Sequence, residues 1–289
     1  MNDPTALEKK VRFRVRDLDT MPFVFRKLMA MLNKPYPSAR ELGQVIATDQ
    51  GLSVKVLRMA NSAAGGVRSQ VLSVHQAVSL LGINVVRSLS FCMASYDSFF
   101  SSNDPERKGM WRHSLLTALV ARDLSVSLRL GQPEEMFVAG MLHDVGHSVI
   151  IKHCPKEFAR MQVLLSRGKD SLEAEQEVLG VGHAEVGAWA CDCWRMSPLL
   201  CNCVRFHHQP EAAPPEFRML AYLIHLADAW ALQAVDPASL ELDLFQPECL
   251  ALLKVTPERM TDLTNQGLEQ LEEIERFLSS ANAGGTRAS

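Results

Sequence analysis

The chain has 289 residues, 47% of them hydrophobic and 22% charged, a balance that supports a sizeable buried core and excludes a disordered or low-complexity polymer. Its formal net charge of −3 supplies no general basic field, so DNA is not expected as a partner. No signal-peptide pattern opens the sequence and no stretch approaches the roughly 20 apolar residues of a membrane span, so a cytoplasmic location without membrane contact is expected.

Lys9, Lys10, Arg12, Arg14 and Arg16 form a basic stretch, read as a solvated end segment at the edge of the fold. Residues 22–33 repeat apolar side chains at helical spacing behind a proline at the first turn. Ser38 with Glu41 three residues on matches a capping box, and the helix after it is followed by another that runs to Gly65-Gly66. Ser73 caps a fourth helix that Gly82 ends, and Asn84 opens a fifth. The polar stretch 101–109 reads as a linker. Longer helices are expected beyond it, at 110–130, 134–151, 155–167, 171–179, 183–195, 198–208 and 216–233. A last amphipathic helix, 257–279, precedes a small-residue tail expected to be disordered over 281–289. Alternating strand patterns are almost absent, so the fold class is all-α.

Eight of the nine histidines follow the linker, and their placement carries the functional information. His113, the adjacent pair His143 and Asp144, His183, the pair His207 and His208, and Asp228 each lie at or near the apolar face of a helix. An apolar helix does not tolerate such groups without partners. Imidazole and carboxylate suit zinc, iron or manganese, and up to seven of them converging could hold one or two divalent ions. A single histidine in an apolar helix is more often a hydrogen-bonded core residue, the reading given to His75, His153 and His225. His147 lies four residues from His143 on the same face.

The seven cysteines, an odd number without a secretory signal, suit reduced thiols. Cys191-Asp-Cys193 and Cys201-Asn-Cys203 do not make a zinc grip, because helical residues two apart point about 200° away from each other. They are read as core cysteines. Asn61-Ser62 either makes local backbone hydrogen bonds at a helix end or contacts a ligand or partner. The short N-terminal helices have a helix-turn-helix outline but no basic recognition helix, a second reason not to expect DNA.

Several motifs together resemble the HDOD domain family: WRHS, MLHDVGH, HAEVGAWACDCWRMSP and RFHHQPE in the second half, and DLDTMPFVFRKLMAML, SARELGQVIATDQGLSVKVLRMANSA and SVHQAVSLLGINVVRSLSF in the first. The resemblance covers roughly residues 16–230 and departs from the family at Gln50, often proline there, and at the AAGG turn after Asn61-Ser62. It implies a two-lobed all-α fold, with an N-terminal helical lobe over about 16–100 and an HD-like lobe over about 105–230. A helical extension at 231–280 would follow.

The family is related to the HD phosphohydrolases, including HD-GYP phosphodiesterases of cyclic dinucleotides, yet most of its members look like bacterial signalling modules. By similarity to those relatives, His113, His143, Asp144, His183, His207, His208 and Asp228 are the metal set, unusually complete for an HDOD protein. His147 stands where the phosphohydrolases carry a lysine that faces substrate phosphate, and no GYP motif is present. The resemblance therefore implies a regulatory module acting on other signalling proteins, with a nucleotide as a candidate ligand. A metal-dependent phosphohydrolase is the alternative. The stripe Leu263, Leu268, Leu271, Ile274 and Leu278 in the last helix either docks on the chain's own second lobe or receives a partner.

Overall fold

A computed structural model describes residues 4–16, 23–32, 38–63, 71–96, 105–236 and 247–283. The described residues form α-helices with no strand, as the missing period-2 patterning predicts.

Five short helices make the N-terminal group: α2 (Phe23–Leu32), α3 (Ala39–Ala47), α4 (Gln50–Ala63), α5 (Val74–Leu81) and α6 (Ile83–Ser95). Local chemistry sets their ends. Ser38 and Glu41 close the expected capping box on α3, and Ser73 closes a second with Gln76 on α5. Gly82 turns α5 into α6 at φ 87°, a backbone region that glycine enters without penalty. Asn61 takes the structural one of its two readings. Its amide donates to the carbonyls of Leu57 and Val71 and accepts from the Val71 N–H at 2.7 Å, tying α4 to the entry of α5. The Ser62 side chain lies outside the described residues.

A second group follows: α7 (Pro105–Ser127), α8 (Pro133–Leu142), α9 (Val145–His153), α10 (Pro155–Leu165), α11 (Ser171–Leu179), α12 (His183–Cys193), α13 (Pro198–Phe206) and α14 (Pro215–Val235), with a 3-10 turn at Pro210–Ala212. α15 (Pro247–Leu253) and α16 (Pro257–Ala283) close the described chain. α7 is the axis, packed on α8, α14 and α16. One continuous core runs from Phe25, Leu42 and Phe91 in the first group through Leu115, Leu119 and Leu124 of α7 to Leu223 and Ile224 of α14. The groups are also joined by charge: Glu134 in the first turn of α8 accepts from Ser88 at 2.8 Å and pairs with the largely buried Arg87 at 3.4 Å. No single described helix is long and apolar enough to cross a bilayer.

Four expectations need correction. The basic N-terminal stretch is not a solvated end segment but a docked helix, α1 (Pro4–Arg16), lying on α12 and α11. Val11 and Val15, four residues apart on one face, are buried in a second core with Val178, Val186 and Trp189. Burying two valines contributes roughly 3–6 kcal/mol before chain entropy is counted, enough to hold a helix of this length. The basic residues serve the edge of this contact. Lys10 and Arg14 pair with Glu157 at 3.3 and 3.2 Å, and the Arg12 guanidinium lies 5.3 Å from the centre of a Trp189 ring. Burial pushes the Glu157 carboxyl up, but the backbone amide and Arg14 outweigh it and hold the group below its ordinary value.

Of the expected linker, residues 105–109 are already helical, because Pro105 occupies the first position, where its missing N–H costs nothing. Residues 101–104 lie outside the described residues. The expected helix 134–151 is two helices, broken at His143-Asp144. Residues 281–283 of the expected tail continue α16, and the rest of it lies outside the described residues.

Of the two readings of the last stripe, the structure shows docking on the chain itself. Leu263, Leu271 and Ile274 are buried and Leu268 packs against the core, with α16 lying on α7, α14 and α4. The Leu278 side chain lies outside the described residues. Ion and amide pairs seal the edge, Arg112 to Glu275 at 2.7 Å and Arg122 to Gln270 at 2.8 Å.

Candidate metal centre

The break between α8 and α9 builds the centre. His143 caps the end of α8, and Asp144 sits at φ −96°, ψ 12°, the sparsely populated bridge region in which many active-site residues lie. The chain turns there so that both side chains face inward. His113 reaches the same point from α7, His183 from the first turn of α12, His207 and His208 from the end of α13, and Asp228 from α14. The structure brings all seven expected residues together.

They form two halves sharing one carboxylate. In the first half, Asp228 Oδ1 lies 2.9 Å from His113 Nε2 and 3.4 Å from His143 Nε2, and those nitrogens are 3.2 Å apart. In the second, His183 Nε2 lies 3.0 Å from His208 Nε2 and 3.3 Å from His207 Nε2. Asp144 stands between them. Its Oδ2 is 3.3 Å from His143 Nε2, and its Oδ1 is 3.2 Å from His183 Nε2 and 3.6 Å from His207 Nε2.

The tautomers show what this arrangement is suited to hold. His143 Nδ1 lies 2.7 Å from the Gly140 carbonyl, and His207 Nδ1 lies 2.7 Å from the Val204 carbonyl. A carbonyl only accepts, so each Nδ1 is the N–H donor and each Nε2 is left free to offer a lone pair inward. His183 is fixed the same way, with Nδ1 2.9 Å from Glu175 Oε2. Lone pairs and carboxylate oxygens packed this closely repel one another unless a proton or a metal cation lies among them. Each half therefore groups donors that could hold a metal ion: His113, His143 and Asp228 in one, and Asp144, His183, His207 and His208 in the other.

Charge points the same way. Burial pushes Asp144 and Asp228 up, but neighbouring histidines, His143 above all, hold both carboxyls well below their ordinary value. Burial likewise lowers His143 and His183, yet carboxylates outweigh it. Asp144 and Asp228 hold His143 well above its ordinary value, and Asp144 and Glu175 bring His183 up to about 10. In the ion-free cluster the carboxylates thus favour the protonated forms of His143 and His183, one in each half, where a divalent ion would displace the proton. Burial and the cationic neighbours lower His207, and take His208 down to about 2.

Glu175 of α11 was not expected from the sequence. It is fully buried, and it also accepts the His183 backbone N–H at 2.6 Å. Its signal was a carboxylate on the face of Val178 and Leu179, three and four residues on. Carboxylates that orient a metal-ligating imidazole raise affinity by about 10–100-fold. Glu175→Gln is accordingly expected to weaken metal binding by about that factor in a chelator-competition titration, with helix content by circular dichroism retained. Unchanged affinity would leave Glu175 with a purely structural part.

His147 stacks on His183 with ring centroids 4.0 Å apart, its Nδ1 3.5 Å from Glu175 Oε1, and burial takes its pKa down to about 4. His225 stands outside the donor groups and supports them, donating Nδ1–H to the His207 carbonyl at 2.7 Å. His75 is exposed on α5 rather than in the core, and His153 lies at the end of α9. Cys191, Cys201 and Cys203 are buried as expected, Cys193 is exposed, and no described cysteine joins a donor group. A cavity of about 450 Å³ opens over the centre, with His113, Asp144 and His147 in its lining.

The HDOD domain model matches residues 18–210, which takes in the N-terminal group, the His143-Asp144 break and the His207-His208 pair. The chain belongs to the HDOD family. An HDOD domain protein of unknown function from Geobacter sulfurreducens has the same fold, with a TM-score of 0.77 at 24% identity, covering 96% of this chain and 97% of that one. A structure from Shewanella amazonensis SB2B, whose name carries a provisional phosphohydrolase assignment, aligns with a TM-score of 0.72 at 24% identity over 93% of this chain and 97% of its own. At these identities the likeness concerns the fold. An uncharacterized protein of Treponema pallidum (strain Nichols) is 22% identical over 94% of this HDOD chain, which spans about half (53%) of that relative's length.

Proposed function

We propose that this HDOD chain is a metal-loaded regulatory module, which binds a small molecule over its His/Asp centre and signals to a partner protein in the cytoplasm. The observation that carries the reading is that no described lysine or arginine lining the cavity is a free cation. Among the described lining residues there is no lysine, and the one arginine, Arg112, already donates to both oxygens of Glu275 at 3.0 and 2.7 Å. His147, at the position where the related hydrolases carry lysine, is turned against His183 and Glu175. Phosphoryl transfer depends on positive charge placed around the transferring group. Here only the ions themselves would supply it.

The second reading, a metal-dependent phosphohydrolase, is favoured by the completeness of the donor set across both halves, since paired ions can clamp a phosphate and activate water. Turnover decides between the two. Protein loaded with iron, manganese or zinc is expected to hydrolyse bis(p-nitrophenyl) phosphate and cyclic dinucleotides well below about 1 s⁻¹, the low end of typical enzymes. Faster turnover that disappears in Asp144→Asn would establish the phosphohydrolase instead.

A further inference from the structure

The cavity over the centre is strongly two-natured. Its floor is His113 of the first half and the shared carboxylate Asp144, together with His147. Its walls are mostly apolar, built from Met110 on α7, Ile151 on α9, Phe158 and Leu165 on α10, and Leu232 and Val235 on α14, with Arg112, Gln162, Ser171 and Asp236 as their polar members. Its volume of about 450 Å³ lies within the range of small-molecule sites, roughly 300–1,000 Å³. A polyphosphate or a hydrophilic nucleotide would leave these walls wetted and its own charges unmatched.

We propose that the cavity takes an amphiphilic carboxylic acid, with its single carboxylate on the metal and its apolar body against the walls. This rests on the metal-loaded reading above. Two divalent ions would outweigh the three buried or nearly buried carboxylates already gathered there, Asp144, Asp228 and Glu175, and the small positive surplus suits a single carboxylate. One more single charge is matched by divalent ions more readily than the double charge of a phosphate monoester. Oxygen donors of this kind suit iron, manganese and zinc. The body needs no polar partner, since its binding comes from apolar area removed from water.

Gly109 gives a clean way to close the cavity. It lies in α7 at the cavity lining, and a Cβ added there meets no atom within 4 Å, so a large side chain enters without a backbone clash. Leu232 is half-buried in the wall, and Leu232→Glu sets a like charge beside the ligand's body. The experiment is calorimetric titration of the metal-loaded full chain with sodium decanoate, alongside 1-decanol, acetate and AMP. Decanoate is expected to bind at least about tenfold more tightly than each of the other three, and to lose at least about tenfold when the metal is removed. Gly109→Trp and Leu232→Glu are expected to weaken decanoate by at least about tenfold while metal content and circular dichroism stay as in the unaltered chain. AMP binding more tightly than decanoate, or decanoate binding indifferent to metal and to both variants, overturns the proposal. Metal uptake without decanoate binding overturns the ligand class alone. Failure to take up metal at all overturns the reading on which it rests.

Discussion

Asp144→Asn is expected to remove stoichiometric metal from both halves of the centre at once and to abolish the effect of chelators on the melting temperature. The carboxylate is the shared element, with Oδ2 beside His143 and Oδ1 beside His183 and His207. Asparagine keeps its size and one oxygen but removes the charge that offsets two divalent ions. An ion present at 100 times its dissociation constant stabilises the native state by about 2.7 kcal/mol. In a chain of this size that corresponds to roughly 5 °C in melting temperature. The unaltered protein is therefore expected to melt about 5 °C lower in EDTA than with iron, manganese or zinc. Asp144→Asn is expected to melt at one temperature in both conditions. Asp228→Asn is the internal contrast, because among the described residues Asp228 pairs with His113 and His143, both of the first half, and it should lose only the ion of that half. Two ions still bound in Asp144→Asn, by elemental analysis of the purified variant, would dismiss the shared-carboxylate arrangement.

The ion-free protein has its own pH dependence through the same residue. The folded Asp144 carboxyl is held well below its ordinary value, so its contribution is complete above the ordinary carboxylate range. It is lost as the pH falls through the lowered folded value. The histidines oppose in sign. His143 and His183 are raised when folded, so their contribution is complete below the ordinary histidine value and is lost as the pH rises through the folded one. Between those limits the apo centre keeps its ion pairs, and chelator experiments near neutral pH read metal loss rather than titration.

The residues of the centre were legible because each breaks a local rule. A histidine or aspartate on the apolar face of a buried helix needs a partner, and seven such residues on one chain suggest that they are one another's partners. The fold class was legible from helical periodicity alone. What escaped was whatever periodicity cannot register. Apolar spacing runs unbroken from Phe137 through Leu142 into Val145 and Val149, so nothing local marks the turn at Asp144 that aims the pair inward. Glu175 looked like one more surface acid in SLEAEQEVL, and only the arrival of His183 from the next helix makes it a partner. The basic charges of α1 hid the short apolar face of Val11 and Val15, whose contacts lie more than a hundred residues away. Docking of α16 is the same kind of fact, since an amphipathic stripe does not name what it packs against.

The turn at Asp144 also depends on a close approach of backbones, and Gly146→Ala is expected to break it. Gly146 is the second residue of α9, and a Cβ placed there falls 2.0 Å from the His183 carbonyl oxygen, 2.8 Å from its carbon and 2.9 Å from the Gly187 nitrogen. All three are backbone atoms, so no side-chain rotation relieves the contact, and α9 and α12 must move apart. Gly187 shows the same crowding from the other side, with a Cβ there 3.0 Å from Val204 Cγ1 and 3.2 Å from the Gly146 nitrogen. Overpacking costs about 1–3 kcal/mol where side chains can yield, and the cost here should reach or exceed the upper end of that range. Alanine's better helix propensity returns no more than about 1 kcal/mol. Separation of the two helices also carries His183 away from Asp144, now 3.2 Å distant, so metal affinity should fall together with stability. Gly109→Ala is the matched control. It makes the same substitution inside a helix with no atom near the new Cβ, and it should be neutral or stabilising by up to about 1 kcal/mol. Thermal melts and metal titrations of the two variants side by side test the claim. If Gly146→Ala melts like the unaltered chain and keeps its metal, α9 and α12 have slack, and the inward aim of Asp144 has to come from another contact.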